Sequence, residues 1–175
     1  MICFDEFGPL EIRPYTGQNW AKKKQPNRLP AHYRRLHGVK HLLAAYDLKK
    51  DKLYGHIKNR KRRKEVLEFL KYLRSLYPEG DKLYIILDNF SPHHHKEVKE
   101  WAKNNNVVLV FTPTYSSWLN RIECHFGPLC KFVLSNYYYK DHKELARAIR
   151  RYIGWRNRNV SHPDILKEQR KIIVA

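Results

Sequence analysis

Three carboxylates are the residues of this sequence best suited by type and spacing to do chemistry: Asp5, Asp88 and Glu123. Asp5 follows a short apolar segment at residues 2–4, and Asp88 follows the continuous apolar run Leu83–Leu87, so each is expected at the carboxyl end of a strand. In open α/β sheets, ligands gather beyond those ends. Two carboxylates on neighbouring strands repel each other unless a cation lies between them, and a divalent metal is the natural occupant. Glu123 would add a third hard oxygen if its helix starts at the same edge of the sheet. Mg²⁺ takes a few carboxylates together with water and phosphate oxygens, and two such ions about 4 Å apart can activate an attacking oxygen and stabilise a leaving one. The chemistry so supported is phosphodiester cleavage and transfer with no covalent enzyme intermediate. Each residue also has a plainer reading: Asp5 as the start of a turn, Asp88-Asn89 as a strand-to-helix loop, and Glu123 as the acid of a capping box opened by Asn120.

The elements that would position these residues follow from pattern. Residues 39–48 and 53–57 are apolar segments around Lys49-Lys50-Asp51-Lys52 and predict a hairpin. Val66, Leu67, Phe69, Leu70, Leu73 and Leu76 recur at helical spacing within residues 65–77, which Pro78 and Gly80 terminate. Ser91-Pro92 predicts an N-cap and first turn for a helix running to Asn104-Asn105-Asn106. Residues 83–87 and 107–111 are expected to be strands buried on both faces. Strand, helix, strand over about 30 residues makes a βαβ unit, with parallel strands and a right-handed crossover. Residues 5–9 read as strand exit and turn, and residues 20–35 as a basic loop or arm. Helices are expected near 121–135 and 142–157, the second opened by Asp141 with Glu144 three residues on. The fold class is therefore α/β, with a mixed central sheet: an antiparallel meander followed by parallel βαβ strands, flanked by helices.

The chain has 175 residues, which suits one domain. Its 35 Lys and Arg stand against 17 Asp and Glu, a formal charge of +18, and such self-repulsion points to a polyanionic partner, above all nucleic acid. A membrane is set aside, since there is no run of about 18 apolar residues and no basic amphipathic helix with a continuous apolar face. Lys58-Asn59-Arg60-Lys61-Arg62-Arg63-Lys64 is the densest charge run. It opens a helix, where the macrodipole disfavours cations, so it is locally costly unless phosphates lie close; a solvated basic stretch is the other reading. Lys22, Lys23, Lys24, Arg34, Arg35 and the basic residues from Arg147 to Arg158 are further candidates for backbone contacts, which supply salt-dependent affinity rather than sequence choice. Trp20, Trp118 and Trp155 could stack on unpaired bases, but core packing is the preferred reading for each. His93-His94-His95 cannot chelate one ion together, because successive helical residues point apart. Cys3, Cys124 and Cys130 lack the paired spacing of a disulfide framework or zinc ribbon, and Cys124, His125 and Cys130 read as packing residues. With no signal peptide visible, a cytoplasmic, nucleoid-associated location is expected.

Several segments, in order, carry a resemblance: Leu87-Asp88-Asn89 with His93, then Thr112-Pro113-Thr114-Tyr115-Ser116, then Leu119-Asn120-Arg121-Ile122-Glu123. Together they resemble the signature of the IS630 group, the bacterial insertion-sequence branch of the Tc1/mariner superfamily of DDE transposases, and the 34 residues between Asp88 and Glu123 match a spacing common there. Asp5-Glu6-Phe7-Gly8-Pro9-Leu10, with Arg13-Pro14, Gly17 and Trp20, resembles the group's first acidic motif. Glu144-Leu145 through Ile149, Tyr152, Asn157 and His162-Pro163 resembles its usual end, so the likeness covers nearly the whole chain. It departs at Arg121, where the family usually has Pro, and at Ser117, where a second Pro is frequent.

The resemblance implies an RNase H-like fold and a cut-and-paste transposase acting on transposon ends and target DNA, at a TA dinucleotide, as a homodimer. It implies Asp5, Asp88 and Glu123 as ligands of two Mg²⁺ (or Mn²⁺) ions. Asn89, His93 and Asn120 would neighbour that site, His93 because the family motif carries a histidine there; a solvent-facing helix start is the alternative. A silent remnant that only binds DNA, and another RNase H-like nuclease, remain as other readings, although the ordered motifs argue against the nuclease. Group members place helix-turn-helix segments ahead of the catalytic domain, and only four residues precede Asp5. Residues 1–175 are accordingly expected to be the catalytic domain alone, with the helix-turn-helix region absent, binding DNA weakly and with a steep salt dependence.

Overall fold

The computed structural model describes residues 1–15, 21–26, 28, 38–114 and 116–171. Among the described residues five strands, β1 (Ile2–Glu11), β2 (Val39–Asp47), β3 (Lys52–Lys58), β4 (Leu83–Leu87) and β5 (Val107–Phe111), form one sheet in the order β3-β2-β1-β4-β5. β2 pairs antiparallel with both β1 and β3, whereas β1–β4 and β4–β5 are parallel, which is the mixed arrangement the sequence pattern predicts.

The first strand is longer than expected. Asp5-Glu6 and Gly8-Pro9 read as an exit, yet β2 goes on pairing with them: Asp5 with Ala44, Glu6 with Leu43, Phe7 with Leu42. Gly8 and Pro9 are absorbed as an irregularity before pairing resumes at Leu10 with Lys40. Gly8 has φ +149, a conformation in which a side chain would be strained, so a bulge here needs glycine.

Among the described residues the sheet is flanked by α1 (Arg63–Ser75), α2 (Lys96–Asn104), α3 (Phe126–Leu129), α4 (His142–Arg156) and α5 (Pro163–Lys171). α1 starts earlier than expected because the Glu65 carboxylate accepts hydrogen bonds from the Arg62 backbone N–H and guanidinium. Ser91 is not the N-cap of the crossover helix. Ser91–His94 form a 3₁₀ turn, and α2 begins only after His95, whose extended backbone breaks the helix and whose Nδ1 accepts from the Glu97 N–H. The helix expected at 121–135 is composite: a 3₁₀ turn at Glu123–His125, then α3, then a π turn at Cys130–Leu134. Pro128, which has no N–H to donate, interrupts the regular ladder there. α4 opens on Asp141, which accepts from the Glu144 N–H at 2.7 Å, as expected.

Strand alternation divides the apolar residues between two cores. Phe4, Ile85 and Leu87 face Val66, Phe69, Leu70 and Leu73 of α1 and Val98 of α2. Cys3, Leu42, Ala44 and Leu53 face Ile122, Leu129, Leu145, Ile149 and Tyr152. Because the second helical layer covers β1–β3, β4 and β5 are buried on one face rather than two, and Tyr84 and Val110 are each 40% exposed. Trp155 packs against Phe132 and His162, but Trp118, also expected to pack, lies out on the surface. Among the described residues no helix is long and apolar enough to cross a membrane.

Where the meander meets α4, Arg156 is fully buried, donates to the Asp51 carboxylate and carbonyl, and lies over the Tyr46 ring at 5.2 Å. The sequence places it among possible DNA contacts; the fold makes it a structural cation. Next to it, Asn157 accepts from the Leu53 N–H and donates to the Leu53 carbonyl, both at 2.8 Å, extending β3 by a side chain. Asp51→Ala should lower stability by about 2 kcal/mol in urea denaturation, short of the ~3–5 kcal/mol of a fully buried pair because Asp51 is partly exposed. An unchanged midpoint would show the pair to be dispensable.

Candidate active site

Ile2 and Cys3 of β1 lie opposite Ile85 and Ile86 of the parallel strand β4, and the same register carried two residues on sets Asp5 beside Asp88. Alternation turns Asp5 to the face of Cys3 and Glu6 to the face of Phe4. Asp5 is only 9% exposed. Glu123 reaches it from the 3₁₀ turn ahead of α3, and that turn hangs from β1 through Asn120, which is fully buried and donates from Nδ2 to the Phe4 carbonyl at 2.8 Å. The capping box is not formed. The Glu123 N–H does reach the Asn120 backbone carbonyl, at 3.0 Å, but the two side chains go to Phe4 and to Asp5 respectively.

The electrostatics follow from this crowding. Burial pushes the Asp5 carboxyl up to about 7, with the nearby Glu123, Asp88 and Glu6 charges adding to it against one stabilising N–H from Glu6. Burial also raises Glu123, while the hydrogen bond it accepts from Asp5 opposes that rise. The pair is thus hydrogen-bonded and both acids are held toward their protonated forms. Asp88 is different: the hydrogen bond from His93 holds its carboxyl below the usual range.

His93 is fully buried between two carboxylates. Its Nδ1 is 3.0 Å from Asp88 Oδ1 and its Nε2 2.8 Å from Glu6 Oε1. Burial alone would lower its pKa, but these partners outweigh burial and lift it to about 9. It does not face solvent. The neighbouring histidines do unrelated things: His94 stacks on Phe111 and contacts Asn89 at 3.1 Å, and His95 caps α2. Asn89 donates to the Thr112 carbonyl at 2.6 Å, tying the ends of β4 and β5 together. Glu6 is the neighbour that sequence reasoning passed over; its signal was its place directly after Asp5 in an alternating strand.

Whether these groups suit a divalent cation turns on donor chemistry. Among the described residues no three acidic, His or Cys side chains are gathered about one point, because Asp5 turns to Glu123 while Asp88 Oδ1 turns to His93. Mg²⁺ and its like need only one or two carboxylates, water and phosphate oxygens making up the rest. Three neighbouring carboxylates, two with protons raised by burial, fit a hard cation in type and charge. Cys124 and His125 fit no metal: burial raises the thiol to about 11 and lowers the imidazole to about 3, and both pack in the core.

The basic residues are placed unevenly. In the 58–64 run, Lys58 pairs with Glu68, Lys61 with Glu6 at 3.9 Å, Arg62 with Glu65 at 2.9 Å and Arg63 with Glu97 at 3.2 Å, so carboxylates offset the cost of cations at the start of α1. Arg60 and Lys64 are exposed and make no ion pair among the described residues. Lys22, Lys23 and Lys24 are exposed in a tight turn closed by Lys22 and Gln25. Arg34 and Arg35 lie outside the described residues, as do Gly17, Trp20 and Tyr115. A groove of about 800 Å³ runs between the ends of β2 and β3 and the first turns of α4, lined by Lys40, Asn59, Lys143, Arg147 and Arg150. Lys143, Arg147 and Arg150 make no ion pair among the described residues.

Residues 1–146 match the family described as DDE superfamily endonuclease. The chain is 21% identical over 155 residues to the insertion element IS630 uncharacterized 39 kDa protein of Shigella sonnei, covering 87% of this chain and 44% of that protein. Its fold resembles the Mos1 mariner paired-end complex with Mn (TM-score 0.70, 14% identity, 98% of this chain and 53% of that one). It also resembles the catalytic domain of the Mos1 mariner transposase (TM-score 0.64, 11% identity, 98% and 78%). The chain thus spans about half the length of the insertion-element protein and of the Mos1 chain in its assembled complex. With a matching family over most of its length and an RNase H-like transposase catalytic fold, this chain belongs to the DDE superfamily of endonucleases.

Proposed function

We propose that this chain is the catalytic domain of a DNA transposase that cleaves phosphodiester bonds at transposon ends and joins the freed 3′-hydroxyl to target DNA by cut-and-paste. The observation that carries the reading is the nearness of Asp5, within β1, to Glu123 and to Asp88, which follows the parallel strand β4, in a chain of formal charge +18. These carboxylates would hold Mg²⁺ or Mn²⁺, two ions in the working assembly, which when bound supply an activated attacking oxygen and neutralise charge on the leaving one. The likeness to the Mos1 mariner paired-end complex with Mn supports that choice of cation and an assembly on paired ends, which two copies of this chain would form. Residues 1–175 act as one catalytic domain.

The chain's own groups set the conditions for this chemistry. Asp5 gives up its proton when a cation binds, so uptake strengthens as pH rises. Asp88, kept ionised by His93, has no proton to lose. Lys22 to Lys24, the exposed members of the 58–64 run, and the α4 groove would meet the DNA backbone.

On labelled duplex with Mg²⁺ or Mn²⁺, Asp5→Asn, Asp88→Asn and Glu123→Gln should each reduce cleavage on the order of 100-fold or more. A wild-type chain that binds DNA but cuts no better than Asp88→Asn is the silent DNA-binding remnant instead.

A second expectation concerns pH. The folded pKa of Asp5 is raised from 3.8 to about 7, so in metal-free buffer its contribution is full below pH 3.8 and is lost as pH rises through 7. The melting temperature should therefore fall between pH 5 and 8 by more in wild type than in Asp5→Asn. Mg²⁺ should restore it at pH 8; a wild-type curve parallel to that of Asp5→Asn would refute the assignment.

The third concerns charge. Arg147→Ala with Arg150→Ala should reduce the slope of log affinity against log salt by about 2. Lys58→Ala with Arg62→Ala, which removes cations already paired with Glu68 and Glu65, should reduce it less, and the reverse order would relocate the DNA path.

A further inference from the structure

We propose that Glu6 and His93 form a rigid strut, built on the opposite face of the sheet from Asp5, that orients Asp88 for cation binding. Both are positioning residues, and the inference rests on the metal reading above.

His93 Nδ1 lies 3.0 Å from Asp88 Oδ1 and 3.2 Å from the Asp88 carbonyl, and Nε2 lies 2.8 Å from Glu6 Oε1. Each ring nitrogen is in contact with a carboxylate oxygen, so the ring cannot turn without losing a contact at each end. Phe4 and Phe90 hold the ring from the sides, with centroids 5.2 and 5.6 Å away. The strut is braced behind: Lys61 is 3.9 Å from Glu6 Oε2 and its ammonium lies 4.3 Å above the Phe90 ring. At the other end Asp88 Oδ1 also accepts the Phe90 N–H, at 3.1 Å. One oxygen of Asp88 is thereby held by two donors, while Oδ2 has none among the described residues and is the oxygen left to take a cation.

Adjacent residues of β1 thus serve the site from both sides of the sheet, Asp5 as a ligand and Glu6 as the foundation of another ligand. A merely structural buried cluster would account for the burial of His93 but not for the division of labour between the two oxygens of Asp88. If the strut acts on Asp88, loosening it weakens cation binding in protein that is still folded. Partners of metal ligands typically contribute about 10- to 100-fold in affinity.

The test is Mn²⁺ binding to the purified full chain, followed by electron paramagnetic resonance, with circular dichroism and melting recorded for each variant. Glu6→Leu and His93→Phe should weaken Mn²⁺ at least tenfold while keeping the wild-type circular dichroism spectrum. Glu6→Gln, whose amide oxygen still accepts from Nε2, should stay closer to wild type than either. If His93→Phe does not fold, the contrast between Glu6→Leu and Glu6→Gln decides. Wild-type Mn²⁺ affinity in Glu6→Leu, with or without a lower melting temperature, overturns the strut; if Asp88→Asn abolishes binding in the same series, the metal reading survives. A wild-type chain that takes up no Mn²⁺ overturns both.

Discussion

Negative charge crowded into one place is the constraint around which the rest of this molecule is arranged. Asp5, Glu6, Asp88 and Glu123 meet where β1 and β4 part, in surroundings dry enough that like charges about 4 Å apart repel by roughly 4 kcal/mol rather than the ~1 kcal/mol felt in water. The pleat of β1 divides the problem. On one face Asp5 and Glu123 reduce their repulsion with a proton; on the other, Glu6 and Asp88 reduce theirs with the imidazole of His93 between them. The site is therefore an arrangement of compensations, with Asp5 and Glu6 sent to opposite faces by the alternation of β1.

Those compensations need both helical layers. The layer of α1 and α2 packs on Phe4, Ile85 and Leu87 and closes over His93, and Lys61, just ahead of α1, stands behind Glu6. The layer of α3 and α4 packs on Cys3, Leu42 and Ala44, and delivers Glu123 to Asp5 through a turn hung on the Phe4 carbonyl. Arg121, where a proline is usual in the family resemblance, donates to the Gln169 carbonyl at 3.1 Å, so the departure ties that turn to α5 rather than loosening it.

Positive charge shows how far local density and spatial availability diverge. The richest run in the sequence, 58–64, is largely committed to carboxylates that the fold brings to it, and Arg156 is sealed in the core against Asp51. Other cations that make no ion pair among the described residues, Lys143, Arg147 and Arg150, are spaced a turn or so apart along α4, where they line one groove with Lys40 from β2 and Asp141. A polyanion responds to the field of unpaired charges, not to their order along the chain.

Much of this was legible in the residues themselves. Periodicity and apolar runs located the strands and α1, the Asp141 to Glu144 spacing located the start of α4, and the ordered motifs led to the family and its mixed sheet. Such features rest on local interactions, whose partners lie within a few residues. What only the tertiary structure decided was pairing between distant segments. β2 continued β1 past Asp5 and Gly8, which look like breakers when read alone. Phe4 and Asp5 drew Asn120 and Glu123 out of the capping box that their spacing suggests. Bare β4 and β5 faces, the buried Arg156 and the Glu6–His93–Asp88 contact likewise depend on which layer lies against which strand. The acidic residues of Asp5, Asp88 and Glu123 could be singled out from type and spacing, but the state of each one is set by neighbours up to 118 positions away, through burial and charge that no local pattern encodes.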